Sequence, residues 1–294
     1  MKIFYFFILI SVFIFGCEKE SSNLPRQITF NTQFHYISDE NCFSPDGNWL
    51  CFISYDSLAP RQIASLVGRV HIKNFKIDTI FQNIFPGSIR HFTKIAPSYT
   101  KNSHNIVFPI YIDSLTIAKA EIDNQLSGEI VYQDTIHLAQ IPDIDSNSVI
   151  NLANLDQFSY TKKNIPNSIV ISLAEGEVIC FRKKDILGNW QLFLLSPNSE
   201  DTLQLTTEVN GIGPDFHWHE QSRKIFFTTK SHIRLTEIDQ QLPRFGFSWT
   251  MTQTLDSEPQ SLCFSNDDEV FAFTREIGGY HQIFTFHLPD YLLN

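Results

Sequence analysis

The chain has 294 residues, 43% of them hydrophobic, which is enough for a sizeable buried core. It carries 32 acidic against 22 basic side chains, a net charge of −10, with no basic cluster and no Arg-rich helix. Nucleic acid and the face of an anionic membrane are therefore poor partners for its surface.

The first 16 residues read as a secretory signal. Lys2 supplies the positive start, and Ile3 to Phe15 is an almost purely apolar run broken only by Ser11. The run is shorter than the roughly 20 residues of a comfortable transmembrane helix, so a cleaved signal or a short N-terminal anchor fits better. Gly16-Cys17 closes it, and "IFGC" followed by the polar "EKESSNLP" resembles a bacterial lipobox. That resemblance implies a signal peptide over 1–16, lipidation of Cys17, a tether over 17–25, and attachment of the mature protein to the bacterial outer membrane through its N-terminal lipid. Several acyl chains hold firmly, because each buried CH₂ is worth about 0.8 kcal/mol. Without residues 1–16, 21 basic and 32 acidic side chains leave a mature charge of −11. In some Bacteroidetes lipoproteins an acidic stretch after the Cys directs surface display. Lys19 interrupts the corresponding "CEKESS", so a periplasmic and a surface-exposed orientation both stay open.

From residue 26 onward helical periodicity is almost absent. Runs of four to eight residues with apolar alternation are separated by Gly, Pro, Asn, Asp and Ser. In chain order they are "WLCFIS" (49–54), "RVHIKNF" (69–75), "NIVFPIYI" (105–112), "LTIAKAEI" (115–122), "EVICFRK" (177–183), "WQLFLLS" (190–196), "KIFFTTK" (224–230), "HIRLTEI" (232–238), "VFAFTRE" (270–276) and "QIFTFHL" (282–288). Phe occurs 27 times and Met twice, and such aromatic and β-branched richness favours strands. The pattern predicts an all-β sandwich, barrel or propeller.

Repeats decide among these. "CFSPDGNWLCF" (42–52) aligns without gaps with "SYTKNSHNIVF" (98–108), "HWHEQSRKIFF" (217–227) and "CFSNDDEVFAF" (263–273). An aromatic stands in the column of Phe43 each time (Tyr99, Trp218, Phe264), and Phe108, Phe227 and Phe273 share the column of Phe52. A further strand pair follows each copy, so the unit is four strands. Phe227 to Phe273 gives a period of 46 residues, the length of a propeller blade. "FSPDGNWLCF" closely resembles the repeat of TolB-type propellers, a WD40-like pattern of an aromatic, Ser, Pro, Asp, Gly and then an apolar strand ending in Phe. "GNWQLFLLSPNSEDTLQLT" (188–206) is similar to the later half of that repeat. The resemblance covers most of residues 26–288 and implies a propeller domain over 26–294, with strand 26–30 completing the last blade. Phe52 to Phe273 spans 221 residues, which suits five intervals of about 44 and hence six blades. Five blades with an insertion around 140–175 fit as well.

The chemistry in the sequence is sparse. Cys42, Cys51, Cys180 and Cys263 form no CxxC pair and have no metal-ligand spacing. They read as buried free thiols acting as small hydrophobes. There is no Gly-rich phosphate loop, no HExxH and no GxSxG nucleophile elbow. Prolyl-oligopeptidase-like enzymes carry a similar propeller, but their chemistry sits in a separate α/β-hydrolase domain. This chain ends about six residues after its final strand, so such a domain is not expected. In "DFHWHE" (215–220), His217 and His219 alternate with Trp218 and share a strand face, where two imidazoles can hold a divalent metal. His35 comes near if the ring closes. Oligogalacturonate lyases are propellers of related type that use His and a metal. Against this, the other copies place Cys42 and Ser44, or Cys263 and Ser265, at those positions. Asp143 with Asp145, and Asp267, Asp268 and Glu269, read as turn and loop residues.

The expectation is therefore a non-catalytic envelope lipoprotein, with no cofactor, whose propeller binds a protein or peptide partner. That role comes from the TolB-type resemblance, whose members are partner-binding components of the cell envelope. The alternative is a propeller-type polysaccharide lyase or hydrolase with a His-based metal site at His217 and His219.

Overall fold

The computed structural model describes residues 24–38, 40–59, 62–86, 95–100, 103–112, 116–123, 130–137, 150–151, 168–173, 176–195, 202–220, 222–238, 248–289 and 291. The expected signal over 1–16, Cys17 and most of the expected tether over 17–25 lie outside them, as do Asp143 and Asp145. The described chain is all-β. Strand β1 (Arg26–Gln27) comes first. A sheet follows of β2 (Phe34–Tyr36), β3 (Trp49–Ala59), β4 (Gln62–His71) and β5 (Ile77–Pro86). Then come β6 (Ile95–Ala96) and a sheet of β7 (Ser98–Tyr99), β8 (Ile106–Tyr111), β9 (Thr116–Ile122) and β10 (Val131–His137). β11 (Ile150–Asn151) pairs in parallel with β6.

The third sheet is β12 (Ser168–Leu173), β13 (Gly176–Lys184), β14 (Trp190–Leu195) and β15 (Thr202–Gln204). The fourth is β16 (Phe216–His219), β17 (Lys224–Thr228), β18 (Ile233–Glu237) and β19 (Ser248–Thr250). The last contains β20 (Gln260–Phe264), β21 (Val270–Ile277) and β22 (Tyr280–His287), and its fourth strand is β1. Among the described residues five antiparallel four-stranded sheets thus follow one plan, four of them simple meanders and the last a three-stranded meander completed by β1.

The N-terminal pairing is explicit. Arg26 lies opposite Thr285 and Gln27 opposite Phe284. The Ile28 amide donates to the Ile283 carbonyl at 2.9 Å, and the Ile283 amide donates to Thr29 Oγ1 at 2.9 Å. The strand expected over 26–30 is shorter as a ladder, but its backbone bonds run on to Ile28. The expected strand 69–75 is corrected more substantially: β4 starts earlier and ends at His71. Phe75 has φ 61°, and its amide donates to the His71 carbonyl across a turn.

The middle strands explain the stacking. Every residue of β8 is buried, as are Val270 to Thr274 of β21. A strand buried on both faces belongs to a sheet covered on both sides. Four apolar clusters do the covering. Ile225, Phe227 and Ile238 pack with Ile171, Cys180 and Leu192, joining the fourth sheet to the third. Phe226 and Leu235 join it to Phe264, Phe271 and Phe286 of the last sheet. Ile28, Cys263 and Ala272 meet Phe43, Leu50 and Phe52 of the first. Tyr55, Val67 and Phe85 meet Phe108, Tyr111 and Ile117 of the second. Cys42, Cys51, Cys180 and Cys263 are all buried and none is in a disulfide, as expected, and burial pushes the Cys51 and Cys180 thiols up.

Candidate functional site

The recurrent hairpin is built by its own side chains. In the first copy Ser44 Oγ donates to Asp46 Oδ1 at 2.5 Å and accepts the Trp49 amide at 2.9 Å. Asp46 Oδ1 also accepts the Asn48 amide, 3.1 Å. Burial works to raise the Asp46 carboxyl, but these bonds outweigh it and hold it below the usual carboxylate range. Gly47 closes the turn at φ 66°, a conformation a side chain disfavours. The copy at 263–273 repeats each bond. Ser265 Oγ donates to Asp267 Oδ1 at 2.5 Å and accepts the Val270 amide at 3.0 Å, and Asp267 Oδ1 accepts the Glu269 amide at 3.2 Å. Asp268 takes the glycine's place at φ 57°. The carboxylate of Asp267 is therefore part of a turn, as its sequence context suggests.

His219 occupies the position of Ser44 and Ser265 in its own copy. Its Nδ1 faces the Ser222 amide (3.1 Å) and the Ser222 hydroxyl (2.8 Å), and its Nε2 faces the Asp268 carbonyl oxygen (3.1 Å) of the neighbouring sheet. Both ring nitrogens are thus committed to the turn and to the inter-sheet contact. His217 stacks on Phe264, with ring centroids 4.4 Å apart and planes 15° from parallel. Burial, with His219 nearby, pushes its imidazole down to about 4, so it is neutral at physiological pH.

His35 lies on β2, beside the last sheet. Its Nδ1 bonds Ser54 Oγ (2.8 Å), its Nε2 bonds Asn31 Oδ1, and its ring meets Phe52 edge-on. Burial, then the proximity of His281, pushes it down to about 4. His217 and His219 share a strand, while both nitrogens of His35 are taken up by Ser54 and Asn31. Among the described residues no group of three or more His, Cys, Asp or Glu side chains could hold a metal ion.

What the sequence did not single out is an uneven distribution of exposed aliphatic side chains among the described strand ends and turns. In each sheet one end holds the turn between the second and third strands, and β1 begins at the opposite end. Inter-sheet bonds show that like ends stack together: Asn83 Nδ2 donates to the Tyr111 carbonyl, and Arg234 Nη1 to Glu208 Oε2. At the first of these ends Leu58, Ile84, Ile112, Ile186, Leu187 and Val209 are all exposed. The end where β1 begins exposes the aliphatics Leu24, Ile77 and Val131, together with Phe30 against Phe75 of the β4–β5 turn and Tyr291 after β22. Isolated exposed aliphatics are ordinary, but a set gathered on one face is the usual mark of an interaction surface. The signal that could have shown it is the apolar "DILGNW" (185–190) placed where turn chemistry was expected.

No protein-family model matches the chain, and no curated protein matches it. Solved structures do. The chain is similar to TolB from Acinetobacter baumannii, with 11% identity, 88% of this chain and 55% of that one covered, and a TM-score of 0.30. It is similar to an oligogalacturonate lyase from Vibrio parahaemolyticus, with 9% identity, coverage of 90% and 94%, and a TM-score of 0.38. It is also similar to the AtxE2 isopeptidase, with 9% identity, coverage of 90% and 53%, and a TM-score of 0.46. The chain spans about half the length of TolB and of the isopeptidase. These are likenesses of strand arrangement at low score, and no activity follows from them.

Proposed function

We propose that the five sheets are blades of one propeller, closed by the chain's own β1, and that the protein is a non-catalytic binding scaffold of the bacterial cell envelope. The spacing of the repeats supports six blades in all, of which five four-stranded sheets are described, with five as the alternative count. In this reading Cys17 carries the lipid, the ring is held at the outer membrane through residues 17–25, and the ligand is a protein or a peptide. The observation behind it is the gathering of exposed aliphatics at one end of the sheets. The imidazoles of His35 and His219, by contrast, are spent on internal hydrogen bonds. A rigid ring that presents loops on one face suits partner capture. A His-based metal site for a polysaccharide lyase or hydrolase finds no support in that arrangement.

The test is affinity purification of the full-length protein from native membranes, with mass spectrometry of what co-elutes. The reading predicts a stoichiometric protein partner that survives washing. A protein that elutes alone and cleaves a polysaccharide in a metal-dependent way would refute it.

A further inference from the structure

One part of the apolar end differs from the rest in shape and charge. The β13–β14 turn presents Ile186, fully exposed, and Leu187, 79% exposed. Beside it the turn at 208–211 presents Val209, 86% exposed, and Trp190, 42% exposed, stands between them. The two turns are tied together: Asn189 Nδ2 donates to the Val209 carbonyl (3.2 Å), and the Ile212 amide to the Trp190 carbonyl (2.8 Å).

Four backbone amides of this tip are satisfied from within. Asp185 Oδ1 accepts the amides of Leu187 and Asn189, both at 2.9 Å, and the Asp185 carbonyl accepts the Gly188 amide at 3.0 Å. The Glu208 carbonyl accepts the Gly211 amide at 2.9 Å. Those four amides can be desolvated by a partner without being stranded as donors. The conformation is also set in advance, so little ordering remains to be done on binding.

Cationic side chains outnumber uncompensated anionic ones around the tip. Glu208 is engaged by Arg234 Nη1 at 2.7 Å and by the Ser248 hydroxyl at 2.6 Å, and Asp185 faces the turn amides. Lys183 and Lys184 are exposed, and neither forms an ion pair with a described residue. Lys184 Nζ lies 5.5 Å from the Trp190 ring centroid and Arg182 Cζ 4.8 Å from it. On a chain with net charge −10 the tip is thus a local cationic rim around an apolar point.

We propose that this tip is the docking point for a protein partner through a segment that places carboxylates beside apolar side chains. This deepens the scaffold reading and rests on it. Charge complementarity calls for the carboxylates, and the aliphatic point calls for an apolar seat at the centre of the contact. A bilayer is a poorer occupant. The acidic body of the protein is repelled by anionic lipid, and in the proposed ring the tip lies at the strand ends opposite to where the tether enters β1.

The experiment places a photo-activatable residue at position 187 of the full-length protein in its native membranes, with position 77, at the opposite strand ends, as control. The expected result is one protein adduct from 187 that is absent from 77. The adduct should map to a partner segment with Asp or Glu beside apolar residues, and its yield should fall at least about tenfold in Lys183→Glu/Lys184→Glu. Adducts to lipid alone, to a second copy alone, a yield insensitive to the charge reversal, or no adduct would each overturn the proposal. Ile186→Ser/Leu187→Ser separates this failure from that of the scaffold reading. Both side chains are exposed, and an unchanged urea midpoint will show that the fold survives. If affinity purification recovers the partner with the wild type but not with this variant, the tip is the docking point. If the variant still recovers it, the scaffold stands and the tip does not. If the wild type recovers none, the scaffold reading itself fails.

Discussion

Replacing Phe226 by alanine tests the stacking of the fourth and last sheets. The ring is fully buried and lies 5.0 Å from Phe264, 6.2 Å from Phe271 and 5.7 Å from His219, centroid to centroid. Two of those partners belong to the neighbouring sheet, so the truncation opens a void between sheets that neither side can close alone. Buried Phe→Ala changes cost about 3–5 kcal/mol from lost transfer energy and the residual cavity. That is a large share of the roughly 5–15 kcal/mol that holds a domain together. Urea unfolding is the assay. With a slope near 3 kcal/mol per molar, the midpoint should fall by about 1–2 M. Phe226→Leu, which fills most of the volume, should cost less than about 1.5 kcal/mol. A loss under about 1 kcal/mol for Phe226→Ala would mean that the ring is not packed between two sheets, and the inter-sheet argument would fall.

Acid should destabilise the protein between pH 6.5 and 4. His217 and His35 are held at about 4 when folded, against an ordinary 6.5, so in that window the unfolded chain binds protons that the folded chain refuses. Stability is full above 6.5 and drains as pH falls through 4, by on the order of 3 kcal/mol per histidine at most. Urea midpoints at pH 7 and pH 5 should show the fall, and His217→Phe should reduce it, leaving the part that His35 supplies. In the repeated turn, Ser265→Ala removes the acceptor of the buried Val270 amide and should cost about 1–3 kcal/mol by thermal or urea unfolding. Ser265→Thr should be nearly silent, since Thr100 fills that column in another copy. Thr29→Val leaves the Ile283 amide without its side-chain acceptor and should cost a similar amount, while Thr29→Ser should not.

Much of the architecture was legible because turn chemistry and strand pattern agree in several copies. Ser44, Asp46 and Gly47 announce the same bonds that Ser265, Asp267 and Asp268 make, and the column of Phe52, Phe108, Phe227 and Phe273 falls on the second strand of each of its four sheets. β5 was missed for a physical reason. Ile77, Ile80, Phe81, Ile84 and Phe85 are spaced like a helix face, yet the segment is a strand. The register shifts between Val67 and Gly68, whose partners are Phe81 and Thr79, so Ile80 is the extra residue and the alternation restarts there. The histidine cluster was legible only as a pattern. That His219 replaces a serine as the acceptor of its turn depends on a neighbouring amide at Ser222 and a carbonyl at Asp268 of another sheet, which spacing alone does not reveal. The apolar tip was hidden by its brevity, because two residues in a hairpin turn set no period.

The proposed scaffold rests on one ring fastened by the chain's own N-terminal strand. Two chains test it most directly, one beginning at residue 24 and one beginning at residue 32, compared by urea unfolding. The second lacks β1, the fully buried Ile28 and the Thr29 bond, and exposes the edge of β22. A single cooperative transition is expected for the longer chain and, for the shorter one, a loss of at least about 4 kcal/mol or failure to fold. Equal midpoints would contradict it, because a strand that closes a ring cannot be removed without consequence.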